Sequence, residues 1–190
     1  MQKATALLLL ALSPLATSVS AGESDLQPRI ESSRAAIQDF FAGLRDELER
    51  AMKSGGPVAA INICHRVAIP ITEAKSLEHN MLLSRTSLKL RNPANAPDAW
   101  EQAVLEQFAE RHAAGEAVTA LSHGEMVDIG GRTQFRYLHA IPTAEVCLSC
   151  HGSNLDAAVQ TKLDELYPED QAIGYQVGDL RGAFSVMHER

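Results

Sequence analysis

A Cys-x-x-Cys-His motif constrains the fold of this chain more than any other feature of its sequence. It reads Cys147-Leu148-Ser149-Cys150-His151. Two thiols at this spacing can each add to one vinyl group of the same porphyrin edge, and the adjacent histidine then offers an imidazole nitrogen to the iron. The motif therefore predicts one covalently bound haem c, with Cys147 and Cys150 as attachment residues and His151 as the first axial ligand.

Two other roles for the cysteine pair compete with haem attachment. Thiol–disulfide redox pairs normally follow a strand and begin a helix in a βαβ unit, whereas this pair follows a predicted strand pair and a turn containing Pro142. A zinc site needs about four ligands, but Cys64 is the only further cysteine and no second close pair exists. The motif therefore favours haem over both alternatives.

The first residues have the pattern of a Sec-type signal peptide. Lys3 gives a positive start, residues 4–12 are apolar, and Val19-Ser20-Ala21 fits the small-residue cleavage rule. We predict a leader over residues 1–21 and one mature domain over residues 22–190. An uncleaved membrane anchor is the alternative, although the apolar run is shorter than the roughly 20 residues that a spanning helix needs.

Export agrees with haem attachment, because c-type haem is attached outside the cytoplasm; the predicted location is the periplasm. No later segment is apolar enough to span a membrane, so no integral membrane segment is expected after cleavage. Removing residues 1–21 takes away Lys3 and no acidic residue, which leaves a net charge of −8. Such an acidic chain lacks the clustered Lys and Arg of nucleic-acid binding.

The hydrophobic periodicity predicts helices that alternate with strands. Helices are expected at residues 29–54, 57–67, 99–114 and 155–166, and strands at 82–90, within 118–141, and at 182–187. Gly55-Gly56 should end the first, long helix, Pro70 should kink or end the second, Asp98 should cap the third, and Gly130-Gly131 should turn a hairpin. This order predicts an α+β fold, an antiparallel sheet flanked by helices.

The residue that would bind the second axial position of the iron is less constrained. Methionine and histidine are the usual partners, and the chain offers Met81, Met126, Met187 and six further histidines. Cys64 is the cysteine that remains once Cys147 and Cys150 are assigned to haem attachment, and it lies on the apolar stripe of the second helix. The alternative is that Cys64 is only a small buried hydrophobic residue, as free cysteines often are. His65 points about 100° away from Cys64 on a helix, so both cannot easily face one iron.

Three arginines are candidates for pairing with the haem propionates. Arg85, Arg91 and Arg181 each carry a planar guanidinium that binds carboxylates with two hydrogen bonds. Ordinary surface ion pairs are the alternative for each of them.

Four blocks in order resemble a family of exported single-haem c-type proteins grouped as a domain of unknown function. They are residues 59–64, which end on Cys64; residues 85–93, followed by Asn95 and Pro97; residues 147–152; and a block from Tyr167-Pro168 to Arg181-Gly182. The resemblance covers most of the mature chain. It implies a PAS-like antiparallel sheet flanked by helices, and Cys64 with His151 as the axial pair.

Three functions follow from such a site. The first is a redox or gas-sensing module that works with a separate partner, because a Cys64 thiolate stabilises ferric iron and is expected to leave on reduction. The second is an electron-transfer cytochrome c that meets a redox partner protein. The third is a haem enzyme acting on small sulfur compounds. It has the weakest support, because the sequence shows no acid–base pair or second cofactor site.

Overall fold

The computed structural model describes residues 23–188, so the predicted leader over residues 1–21 lies outside the described residues. The helices are α1 (Glu23–His79), α2 (Ala99–Ala113), α3 (Leu148–His151) and α4 (Ala157–Leu166). The strands are β1 (Met81–Thr86), β2 (Ser122–Ile129), β3 (Arg132–Pro142) and β4 (Leu180–His188). Short 3-10 turns lie at Pro93–Asn95, Val118–Ala120 and Glu145–Cys147.

The four strands form one antiparallel sheet in the order β1-β4-β3-β2. β2 and β3 form the predicted hairpin, in which Ile129 is opposite Arg132. Gly130 and Gly131 both have positive φ, at 62° and 79°, as the tight turn of a two-residue hairpin requires. The α+β class and the sheet flanked by helices are confirmed; PAS likeness stays a prediction.

α1 consists of two helical parts that meet at Gly55 and Gly56. The backbone of these two glycines is not helical, and the chain reverses direction there. Asp39 in the first part binds Lys75 at 2.7 Å and His79 at 2.9 Å in the second part. In a straight helix, residues so far apart would be separated by roughly 50 Å, at about 1.5 Å per residue. The two parts therefore form an antiparallel helical hairpin, and the predicted break at the glycine pair is confirmed.

Two predicted helix boundaries are wrong. The first helix begins at Glu23 instead of residue 29, and the second continues through Pro70 to His79 instead of ending near residue 67. A proline removes one helical hydrogen bond, but the helix on both sides of Pro70 is held in place. Ala68 is buried, and the Lys75 and His79 contacts to Asp39 follow Pro70.

Each face of the sheet is covered by a different helix. The first part of α1 packs Ala36, Ile37 and Phe40 onto one face, and α2 packs Val104, Leu105 and Phe108 onto the other. Neighbouring strand residues alternate between the two layers, because Tyr137 belongs to the first cluster and Leu138 to the second. The core thus has three layers, with the sheet in the middle.

A smaller cluster lies beside these layers and holds the cysteine motif. Ile61 in the second part of α1 packs with Val159 and Leu163 of α4, and Cys150 lies against them. The α2 helix begins with the predicted Asp98 cap, whose carboxylate accepts the Glu101 N–H at 2.8 Å. Within residues 23–188, no helix is both long and apolar enough to cross a membrane.

The neighbouring residues Phe40 and Phe41 give a matched test of this packing. Both rings contact Phe184 edge-to-face at 5.8 Å, but Phe40 is 0% exposed and Phe41 is 46% exposed. We expect Phe40→Ala to lower the free energy of unfolding by about 3–5 kcal/mol, because it leaves a cavity between α1 and the sheet. Phe41→Ala should cost about 1 kcal/mol. Urea denaturation followed by circular dichroism measures both, and equal losses would contradict this packing.

Candidate functional site

The cysteine motif lies on one short helical turn that is partly buried. Cys147 ends a 3-10 turn, and Cys150 and His151 belong to α3, which follows it directly. Cys147 and Cys150 are both free thiols and partly buried. The motif follows β3, which ends at Pro142, in agreement with the predicted strand before the pair.

The His151 imidazole is held by a backbone carbonyl from a later segment. Its Nδ1 lies 2.6 Å from the carbonyl oxygen of Ala172. A carbonyl only accepts hydrogen bonds, so Nδ1 carries the proton and Nε2 keeps its lone pair. Burial, with the nearby charges of Arg181 and Arg91, lowers the pKa of His151 to about 2. The imidazole is therefore neutral with Nε2 unprotonated, which is the form that binds metal ions.

The segment after α4 is paired to the motif through its backbone. The Tyr175 N–H donates to the His151 carbonyl at 2.9 Å, and the Gly174 N–H donates to the Gly152 carbonyl at 3.1 Å. The Tyr175 ring also lies edge-on to the His151 ring, with 6.2 Å between centroids. The residues that hold the imidazole thus come from a segment about 20 residues after the motif.

Arg91 joins these two segments. Its Nη2 donates to the Cys150 carbonyl at 2.5 Å, and its Nη1 lies 3.4 Å from His151 Nε2. Its Nε donates to Asp170 Oδ2 at 3.0 Å, and its Nη2 forms an ion pair with the same oxygen at 2.9 Å. The side chains of Arg91 and Asp170 are only 13% and 9% exposed. Arg91 therefore has a carboxylate partner within the chain.

Arg85 and Arg181 face the same region without such a partner. Both are partly buried, and burial lowers the pKa of each guanidinium. Arg181 donates to Ser87 Oγ at 3.2 Å, and Arg85 lies over the Phe40 ring at 6.0 Å. In the part of the chain that the structure describes, no carboxylate forms an ion pair with either. The positive charges of both arginines lower the pKa of His151.

Cys64 lies in the second part of α1, in the same surroundings as the motif. Burial raises the pKa of its thiol, and the charges of Arg85 and Arg91 act in the opposite direction. The Cys64 thiol is in turn one of the groups that raise the pKa of Cys150, after burial. His65 is exposed and contacts the Tyr167 ring at 5.3 Å. Cys64 thus faces inward and its neighbour outward, as helical spacing predicted.

The other candidate ligands lie in contacts of their own. Met81 packs against the core beneath α1, Met126 is exposed on β2, and Met187 lies in β4 opposite Leu82 of β1 and Arg136 of β3. Five histidines contact other partners: His79 contacts Asp39, His112 the Glu116 carbonyl, His123 the Glu125 carboxylate, His139 the Tyr137 ring, and His188 the Ser33 hydroxyl. Among the titratable candidates, Cys64 is the one whose charge contributes to the pKa of Cys150.

Comparison with known proteins identifies the family of this chain. A family model described as Tll0287-like matches residues 22–188. The chain belongs to the Tll0287-like family. It is also similar to a solved structure described as the cyanobacterial heme-protein Tll0287, with 22% identity and a TM-score of 0.57 over 90% of this chain and 98% of that chain. That likeness shows a shared fold. A search of curated proteins found no match.

Sequence reasoning missed the residues that orient His151 in this Tll0287-like chain. Asp170 and Tyr175 belonged to the C-terminal block, which could have directed attention to them. The Ala172 carbonyl has no signal in the sequence, because every residue has a carbonyl and only the fold decides which one meets the imidazole. The three arginines could be named as candidates because the sequence shows their residue type, and the charges of all three lower the pKa of His151.

Arg91 and Arg85 should respond differently when their charge is removed. In chain produced without cofactor, Arg91→Met should lower the free energy of unfolding by about 3 kcal/mol, because it leaves the Asp170 carboxylate buried and unpaired. Arg85→Met should leave it unchanged or raise it by about 1 kcal/mol, because it removes a partly buried cation that has no carboxylate partner. Urea denaturation of the matched pair measures this, and equal losses would show that Arg85 is paired.

Proposed function

We propose that this chain is an exported c-type haem protein that binds one haem c through Cys147 and Cys150, with His151 as the first axial ligand. We further propose that it acts in the periplasm as a redox or gas-sensing module. The observation that carries the proposal is the neutral His151 imidazole: its Nδ1–H donates to the Ala172 carbonyl, and its Nε2, with Arg91 Nη1 at 3.4 Å, keeps the lone pair that would bind iron.

The donor set of the site fits this cofactor. The two motif thiols are free and lie on one short turn, as two thioether links to one porphyrin edge require. The related Tll0287 structure is described as a heme-protein. A haem bound here supplies a one-electron redox centre and, where an axial position opens, a site for a diatomic gas.

The charge of the site supports the same cofactor. Arg85 and Arg181 are partly buried cations without a carboxylate partner among residues 23–188. Partly buried cations are stabilised by an opposite charge. The two propionates of a haem would supply it, one for each guanidinium, so we assign Arg85 and Arg181 to the propionates. Arg91, which already has Asp170, contributes to the site in another way.

Cys64 is proposed as the second axial ligand. It is partly buried, its pKa is affected by the same arginines as the motif, and it belongs to the α1 helix instead of the motif segment. A thiolate stabilises ferric iron relative to methionine ligation. Because Cys64 reaches the site on a separate helix, it can leave the iron while the thioether links and His151 stay in place. This arrangement favours sensing over simple electron transfer.

Export is part of the proposal. The predicted leader over residues 1–21 and the covalent attachment motif support a periplasmic location independently, because c-type attachment takes place outside the cytoplasm. The partner would be a redox protein or a small gas ligand. Nucleic acid is disfavoured by the acidic composition of the mature chain.

Mass spectrometry tests the attachment. When the full chain is produced together with a c-type maturation system, the mature protein should carry the mass of one haem that survives denaturation. Replacing both Cys147 and Cys150 by Ala should abolish this added mass, because no thioether can form. Cys64→Ala is the matched control and should keep the covalent haem. A wild-type protein of bare polypeptide mass would rule the proposal out.

Optical and electron paramagnetic resonance spectra test the second ligand and the role. Cys64→Ala should shift the ferric Soret band and the low-spin signal, since the sulfur donor is lost. Met187→Leu is the control and should leave both unchanged. Reduced wild-type protein should bind carbon monoxide or nitric oxide as Cys64 leaves. A reduced protein that stays six-coordinate and refuses both gases would instead be an electron carrier.

A further inference from the structure

The ion pair between Arg91 and Asp170 stands out because it is almost fully buried. The two side chains are 13% and 9% exposed; Arg91 Nε donates to Asp170 Oδ2 at 3.0 Å, and Nη2 lies 2.9 Å from the same oxygen. Removing two charges from water costs about as much as their attraction returns, so such a pair adds little net stability. Its contacts with the backbone suggest what else it does.

Asp170 holds the segment that carries the Ala172 carbonyl. While its Oδ2 binds Arg91, its Oδ1 accepts the Ala172 N–H at 2.8 Å. One carboxylate therefore fixes both the arginine and the peptide unit that leads to Ala172. The Ala172 side chain is fully buried, which anchors this residue between the exposed neighbours Gln171 and Ile173.

Arg91 connects the same segment to the motif. Its Nη2 donates to the carbonyls of Cys150, at 2.5 Å, and Ala172, at 3.3 Å. The guanidinium thus links the helical turn that carries His151 to the Ala172 carbonyl, which accepts the hydrogen bond from His151 Nδ1–H. A planar fork with fixed donors can hold two such groups at once, and a lysine ammonium cannot do so with the same geometry.

The carbonyl at the end of this chain of contacts determines how His151 behaves as a ligand. A hydrogen bond from the distal ring N–H of a metal-binding histidine fixes the tautomer and the ring orientation, and raises the basicity of the ligating nitrogen. In this protein the acceptor is the Ala172 oxygen, 2.6 Å from Nδ1. Whatever moves or polarises that oxygen changes the electron donation of the imidazole.

We propose that Asp170 and Arg91 are positioning residues that set the orientation and electron donation of the His151 imidazole through the Ala172 carbonyl. This inference rests on the proposed haem ligation by His151. It gives Arg91 a role that differs from that of Arg85 and Arg181: Arg91 acts on the ligand of the iron, and the other two act on the propionates.

The test compares two carboxylates of one segment in the haem-loaded protein. Asp170→Asn keeps an oxygen that can accept the Ala172 N–H but loses the charge that holds Arg91. We expect it to raise the midpoint potential, because ferric iron loses donation from His151 and a nearby negative charge. Asp179→Asn is the matched control: Asp179 Oδ2 accepts the Gln176 N–H at 2.7 Å, and within residues 23–188 it forms no ion pair with Arg91. It should shift the potential less.

Arg91→Lys separates geometry from charge. It keeps the positive charge but loses the fork, so the low-spin electron paramagnetic resonance signal should shift and broaden as the imidazole orientation becomes less defined. This variant also decides the question if Asp170→Asn fails to fold. Two results would overturn this inference and leave the proposed function intact. One is a wild-type signal from haem-loaded Arg91→Lys, and the other is an equal midpoint potential for Asp170→Asn and Asp179→Asn. A wild-type chain without covalent haem would overturn both this inference and the proposed function.

Discussion

The reversal of α1 at Gly55 and Gly56 is the constraint on which the rest of the structure depends. Gly56 has φ of 68°, which a residue with a side chain adopts only at a cost. Because the helix turns back there, its first part covers one face of the sheet and its second part reaches α4 and the motif. One continuous segment of the chain thus forms the main core and carries Cys64 to the site.

The site combines groups that are far apart in the sequence and unlike in chemistry. α1 brings Cys64, the region after β1 brings Arg91, the turn after β3 brings the motif, and the segment after α4 brings the Ala172 carbonyl. The last three are joined to one another by backbone and arginine hydrogen bonds that surround His151. Under the proposed function, these contacts would fix His151, whereas Cys64 would come from a helix outside this hydrogen-bond network.

The parts of the fold that depend on local sequence were predicted well. Asp98 caps α2 and the glycine pair turns the β2–β3 hairpin, because both features are written in a few adjacent residues. The predicted end near Pro70 was wrong, since contacts between Asp39 and the end of α1 outweigh the one hydrogen bond that a proline removes. Such long-range contacts leave no mark on local periodicity.

The candidate site likewise contains groups that the sequence identifies and groups that only the fold brings together. The cysteine motif and the arginines could be found because their chemistry depends on the residue type, and the structure places all three arginines around His151. The group that orients the imidazole is a main-chain carbonyl, and its position depends on a buried ion pair between residues about 80 positions apart. Only the folded chain reveals that connection.

The order of the strands has a consequence for how the protein is made. β4, the last of the described strands, lies between β1 and β3 instead of at an edge. During synthesis or export, β1 therefore stays separate from the β2–β3 hairpin until residues 180–188 are present. The segment that contains Ala172 also comes late in the chain, so it cannot contact His151 earlier. Under the proposed function, the cysteine turn would therefore stay accessible for haem attachment until this late segment has docked.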